Sequence, residues 1–175
     1  MFNYEQENGE YENLEECVTD VYRLAVEYAI NAVRNNIGGP FGAGIIYKKD
    51  NGKYIILAID VNRVIKDQDP TAHAEINVIR KACKMLKNKS LENCILVTTA
   101  KSCPMCLSAA CWANISKIYY SEDYKNAIES GFKDNDILEY LKGEKPDLIE
   151  EKRLIDMVCK KPFDIWNKKT DKIEY

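Results

Sequence analysis

At 175 residues, 46% of them hydrophobic, the chain has apolar material for one full core and no excess of length that would favour a second domain. Its 25 basic and 28 acidic side chains leave a net charge of −3, which argues against a surface built to grip phosphate backbones and against nucleic acid as a partner. Seven cysteines, an odd number, with no apolar leader and no run long enough to span a bilayer, predict a reducing cytoplasmic setting without disulfides or membrane attachment.

Residues 1–12 read as an acidic lead-in whose glutamates bury little. From Leu14 apolar residues recur at three and four (Cys17, Val21, Leu24, Ala25, Tyr28), which predicts a helix ended by Gly38 and Gly39. Pro40, Phe41 and Gly42 lead into a strand over 43–47; Asp50, Asn51 and Gly52 turn the chain, and 54–60 returns antiparallel. Phe41 reads equally as a core aromatic or as a ring whose glycine-flanked backbone passes close to a ligand. Residues 63–68 are a polar loop. Asp69 and Pro70 read as an N-cap and a first helical residue, which predicts a helix over 70–87.

Residues 94–97, closing in Thr98 and Thr99, form a short apolar run of the kind buried on both faces of a sheet. A small-residue helix over 103–113 and a strand over 115–120 follow. Further helices are predicted over 122–129 and 137–141, separated by a turn over 131–136; after a break at 142–146, residues 148–158 and 163–166 also read as helical. Strands separated by helices of this length imply parallel crossovers, so the sheet is mixed, a hairpin followed by parallel strands. Cys17, Cys83, Cys94, Cys111 and Cys159 read as small buried hydrophobes.

Two motifs carry the chemistry. His73, the only histidine, is followed by Glu75, and thirty residues on come Cys103 and Cys106 with Ser102 and Pro104 around the first of them. A lone C-x-x-C reads as readily as a redox pair or half of a structural zinc site. Together, one imidazole and two thiolates at helix starts suit tetrahedral zinc with an open fourth position, where a bound water's pKa falls to about 7. A carboxylate two residues from the histidine is placed to carry that water's proton. The combination is the signature of zinc nucleobase deaminases.

With these residues laid out, the chain resembles the cytidine deaminase-like superfamily, and within it the guanine deaminases of bacteria. The resemblance runs from Gly38 through Ala43, along Asp69 to Ile79, through Cys103, Pro104, Met105, Cys106 and Leu107 with Trp112 and Ala113, and on to Gly131, Phe132, Asp134 and Tyr175. It implies a three-layer α/β/α fold with a mixed five-stranded sheet flanked by helices, one zinc ion per subunit on His73, Cys103 and Cys106, and hydrolysis of guanine to xanthine and ammonia with Glu75 shuttling protons. By the same likeness Asn62 bonds the purine edge, Phe41 stacks on the ring, Ala74 borders the substrate, Trp112 walls the pocket, and Asp134 bonds the base near the leaving amino group. A homodimer is implied, with the C-terminal segment crossing so that Tyr175 closes the partner's pocket. Without the resemblance, Asn62 and Asp134 read as turn residues and Tyr175 as a frayed end.

Two stretches depart from the pattern: Ala100, Lys101 and Ser102 stand where the family has Cys-Glu-Pro, and Asn114 stands where arginine is common. Ser102 is expected to cap the second motif helix. Lys101 reverses a charge near the pocket, which keeps deamination of another aminated ring open. A tRNA adenosine deaminase would need a basic groove that the net charge disfavours. A structural zinc in a binding module would need a fourth protein ligand, and Cys111 lies too far along its helix to reach back.

Overall fold

The computed structural model describes residues 9–132, 134–153 and 157–173. Helix α1 (Leu14–Arg34) opens on Asn13, whose side chain accepts the Glu15 N–H at 2.8 Å. It closes earlier than the glycine pair suggests, because Asn36 takes a left-handed conformation (φ 54°) and the Ile37 N–H returns to the Ala32 carbonyl. Strands β1 (Gly42–Lys48) and β2 (Tyr54–Val61) pair antiparallel, with a register shift between Ile45 and Ile46. A one-turn helix α2 (Val64–Asp67) occupies the loop read as irregular.

Helix α3 (Ala74–Leu86) leads to β3 (Cys94–Ala100), and helix α4 (Pro104–Trp112) to β4 (Ile118–Glu122). The sheet order is β2-β1-β3-β4, with β1 antiparallel to β3 and β3 parallel to β4. The crossover through α3 therefore passes over β1 before β3 joins the sheet. Short helices α5 (Tyr124–Glu129) and α6 (Asp134–Leu141) follow, then one-turn 3-10 segments at Pro146–Leu148 and Met157–Lys160, and helix α7 (Lys161–Lys168).

The three layers follow from two apolar faces. On one side Cys17 and Val21 of α1 pack with Ile46, Ile56, Ile59, Ile95 and Val97 of the sheet. On the other, Ala74, Val78 and Ala82 of α3 and Ala110 of α4 pack with Ile45, Leu57 and Leu96. Burial of both faces explains the near-continuous apolar runs of β1 and β3.

The expected fifth strand is not found among the described residues: the sheet has four. After β4 the chain enters α5 and α6, and beyond them the sequence is charged and Pro-interrupted, with no alternating apolar run to extend the sheet. Residues 149–153, read as helical, are not; Glu150, Glu151, Lys152 and Arg153 offer no apolar face to bury. Cys111 and Cys159 are exposed, whereas Cys17 and Cys94 are buried as expected; all seven cysteines are free. Among the described residues no helix is long and apolar enough to cross a membrane.

Candidate metal centre and active-site cavity

Both motif helices begin one residue after a candidate metal ligand. The first starts four residues later than the Asp69-Pro70 pair suggests, because Asp69 spends its carboxylate on a local turn: one oxygen accepts both the N–H and the O–H of Thr71 at 2.7 Å. Those bonds hold the Asp69 carboxyl below its usual range. Residues 70–73 complete the turn, and His73 becomes the N-cap in extended conformation. Cys103 does the same for α4, with Pro104 in its first turn. Ser102, expected as the cap, instead lies one residue outside, and its hydroxyl is buried near the Glu75 carboxyl.

Two side chains from outside the motifs hold these starts in place. The buried Asn77 side chain donates to the carbonyls of Val61 (2.9 Å) and Ala72 (3.2 Å), tying α3 to the end of β2. Tyr124 of α5 donates its hydroxyl to the Ser102 carbonyl at 2.8 Å, just before Cys103.

His73, Cys103 and Cys106 form a cluster whose ligand atoms all lie within 4.8 Å of one another. The Sγ atoms of Cys103 and Cys106 stand 3.7 Å and 3.6 Å from His73 Nδ1. A tetrahedron with zinc bond lengths of about 2.3 Å to sulfur and 2.0–2.1 Å to nitrogen has a sulfur–nitrogen edge of roughly 3.6 Å. The three residues therefore fit a zinc ion, and among the described residues no fourth histidine, cysteine or carboxylate joins their cluster.

The cluster lies against a cavity of about 640 Å³. Its walls include Phe41 and Asn62 from the two ends of the hairpin, His73 and Glu75 from the first motif, Lys101 and Cys103 from the second, Phe132 from the α5–α6 connection and Asp134 from the start of α6. Asn62 is only 5% exposed, and its Oδ1 accepts the N–H groups of Gly39 and Val64, both at 3.2 Å. Two N–H donors on one atom require that atom to be the oxygen, so the amide NH₂ is the group left to donate toward the cavity. Lys101 is half-exposed, with Nζ 4.9 Å from the Tyr124 ring centroid and 3.7 Å from Asp123.

Electrostatics follow from burial around these groups. Cys103 is held as a thiolate, its pKa lowered to about 4 by the Cys106 thiol that bonds it and by the His73 ring. Cys106 is pushed upward by the Cys103 sulfur and by burial, so the metal-free pair shares one proton. His73 is raised, chiefly by its bond to Cys103 and also by the negative charges of Cys103, Glu75 and Asp134. Burial raises Glu75, which is 7% exposed, and burial likewise raises Asp134, with Cys103 adding to both.

The structure thus gathers His73, Glu75, Cys103, Asn62, Phe41 and Asp134 at one cavity, with Cys106 behind them. Two expected substrate neighbours lie elsewhere. Ala74 points into the large core and does not line the cavity. Trp112 is 74% exposed and borders a separate surface depression with Leu107, Ser108 and Cys111. It stands nine residues after Cys103, which at about 100° per residue puts it on the opposite face of α4. Tyr175 lies outside the described residues. Phe132, Asn77 and Tyr124 carried no assigned role in the sequence, because what they do depends on neighbours distant along the chain.

Residues 15–122 match the family of the cytidine and deoxycytidylate deaminase zinc-binding region. The chain belongs to that family of zinc-dependent deaminases, and its cofactor is zinc. It is 41% identical to the guanine deaminase of Bacillus subtilis over 159 residues, 87% of this chain and 96% of that protein. The X-ray structure of the Bacillus subtilis enzyme aligns with a TM-score of 0.81 at 36% identity, covering 93% of this chain and 99% of the other, so the fold is cytidine deaminase-like. A guanine deaminase from Nitrosomonas europaea aligns at 27% identity and a TM-score of 0.57, covering 70% of this chain and 65% of its own. The tRNA-specific adenosine deaminase of Buchnera aphidicola (subsp. Schizaphis graminum) is 32% identical over 63% of this chain and 69% of its own.

Proposed function

We propose that the chain hydrolyses guanine to xanthine and ammonia at a zinc centre formed by His73, Cys103 and Cys106, the whole chain serving as one catalytic domain. The observation that carries the purine reading is Asp134. It lies beyond residues 15–122, the segment common to the wider family, yet α6 brings its half-buried carboxyl to the cavity beside His73 and Glu75. A carboxylate only accepts hydrogen bonds, and guanine presents two donors on one edge, its ring N1–H and its 2-amino group. Asn62 offers its amide NH₂ in the same cavity, which suits the acceptors O6 and N7 of the same base. The likeness to the Bacillus subtilis guanine deaminase, which extends past residue 122, supports the same substrate.

Zinc, when bound, lowers the pKa of the water in its open position and makes it nucleophilic at neutral pH. Glu75 takes a proton from the attacking oxygen and returns it to the departing 2-amino group. Burial raises its pKa from the ordinary carboxylate range, which suits a group that must both accept and donate near neutrality. Asp134 holds the 2-amino group and N1–H in line, and Phe41 stacks on the ring. Glu75→Gln, loaded with zinc, is expected to keep its metal and lose about 10²–10⁴-fold in ammonia release from guanine. A zinc-loaded Gln variant working at the wild-type rate would contradict the assignment.

We also propose that two copies pair. Support comes from apolar side chains left bare in one chain: Trp112 on α4 at 74% exposure, Phe163 and Ile165 on α7 at 69% each, and Ile173 at 75%. A second copy that receives the C-terminal segment covers this surface and brings Tyr175 to a pocket.

A further inference from the structure

We propose that Phe132 determines specificity: its ring, set edge-on against Phe41, closes the catalytic cavity against a second, apolar cavity and so restricts the site to unsubstituted rings. The proposal rests on the reading above that the substrate is a free purine base. The second cavity, of about 500 Å³, lies on the far side of the ring pair between α1 and α5, bounded by Val26, Ile30, Val33 and Ala127 among others. Of the described residues, Phe41 and Phe132 alone line both cavities.

The two rings that line both cavities are in contact. Their ring centroids are 4.7 Å apart with planes at 75°, the edge-to-face arrangement in which aromatic rings touch without a gap. Gly39 supports both. A Cβ built on it would stand 3.2 Å from Cζ of Phe132 and 3.2 Å from Cδ2 of Phe41, so the two rings rest on bare backbone.

The two rings differ in how firmly they are held. Phe41 leads into β1, its carbonyl accepts the Asn62 N–H at 2.9 Å, and its ring packs on the large core. Phe132 stands in the connection between α5 and α6, after Gly131 with φ +87°, and its N–H reaches the Ala127 carbonyl at 3.0 Å. Truncating Phe132 therefore removes the wall and leaves Phe41 in place to stack on a base. The chamber this opens is walled mainly by apolar side chains, and of its polar ones Thr99 accepts the Gly42 N–H and Asn126 donates to Glu122, so the ligands it admits best are purines with an aryl or alkyl substituent.

The test compares Phe132 with Phe132→Ala, Phe132→Leu and Phe132→Tyr in zinc-loaded protein carrying Glu75→Gln, so that guanine is not turned over, measuring by calorimetry the affinity for guanine and for benzylguanines substituted at N7, C8 or N9, with ammonia release by the corresponding Glu75 proteins followed in parallel. The expected result is a benzylguanine-to-guanine affinity ratio that rises about tenfold or more in Phe132→Ala for at least one isomer, rises less in Phe132→Leu, and stays at the value of the Phe132 protein in Phe132→Tyr. An unchanged ratio for every isomer in an Ala variant that still holds zinc and guanine overturns the proposal. Where the Ala variant does not fold, an unchanged ratio in Phe132→Leu overturns it in the same way. Because the ratio is read from binding, a Phe132 protein that binds guanine but whose Glu75 counterpart releases no ammonia overturns the catalytic reading and leaves the wall to be judged on its own; a Phe132 protein that does not bind guanine overturns both.

Discussion

The sulfur atoms of Cys103 and Cys106 share one environment and divide its consequences between them. Cys103 sits at the N-cap of α4, where first-turn N–H groups and the helix dipole favour negative charge, and Cys106 one turn further in donates to it. In protein stripped of zinc, ultraviolet absorbance from one thiolate should persist until the pH falls through about 4, and Cys103→Ser should abolish it. The buried thiols Cys17 and Cys94, pushed up to about 12, stay protonated across that range and do not obscure the signal. The sign for stability follows: the folded pKa of Cys103 lies below the ordinary thiol value of 9.0, so its contribution to the metal-free fold is complete above 9.0 and disappears as pH falls through about 4. Thiolate absorbance that vanished near pH 9.0 would show that the pair is not preorganised. The motif residues were legible in the sequence because H-x-E and C-x-x-C are local spacings with one chemical meaning between them. Phe132 was legible only as part of a likeness, since its partner Phe41 is far away along the chain and nothing in the intervening residues signals their contact.

The helices that carry the site are aimed by polar bonds of a kind that hydrophobic periodicity does not reveal. The apolar stripe of α3 marked its body well, but not its start, where Asp69 prefers the Thr71 turn to capping and thereby moves the first helical residue to Ala74. Asn77 then fixes the helix against β2 through two backbone carbonyls. Replacing it with alanine takes this donor from the Val61 carbonyl and leaves the Ala72 carbonyl with the Arg63 N–H at 2.9 Å. This should cost about 1–3 kcal/mol in denaturant unfolding and, by loosening the turn that holds His73, weaken zinc affinity as well. Asn77→Ala with unchanged stability and unchanged zinc binding would show that the α3 start is held by packing alone. The strands were legible for a different reason: the Asp50-Asn51-Gly52 turn between two apolar runs marks a hairpin, though not the register shift between Ile45 and Ile46, whereas β4, at the sheet edge and half-exposed, begins and ends later than its apolar content suggests.

For the whole molecule, the alternation of strands and helices indicated a mixed sheet, the family resemblance implied its place between helical layers, and the apolar clusters on the two faces of the sheet are that arrangement. The C-terminal third was less legible because its apolar residues are not satisfied within one chain: Phe163 and Ile165 face outward, so no intramolecular period explains them. If a second copy receives this segment, deleting Tyr175 should lower turnover of guanine while zinc content stays constant; unchanged turnover would exclude a role for the tail at the pocket. The cavity itself joins a zinc-ligand cluster to a buried amide and a half-buried carboxyl, and the proposed match to guanine rests on a carboxylate that can accept from both its N1–H and its 2-amino group. Lys101 in the same wall is the feature most able to redirect it. The most direct measurement is ammonia release by the zinc-loaded protein from guanine, guanosine, adenine, cytosine and ammeline side by side. Release from guanine far above the other four is the predicted result; faster release from any of the others would contradict the assignment of Asn62 and Asp134 to the guanine edge.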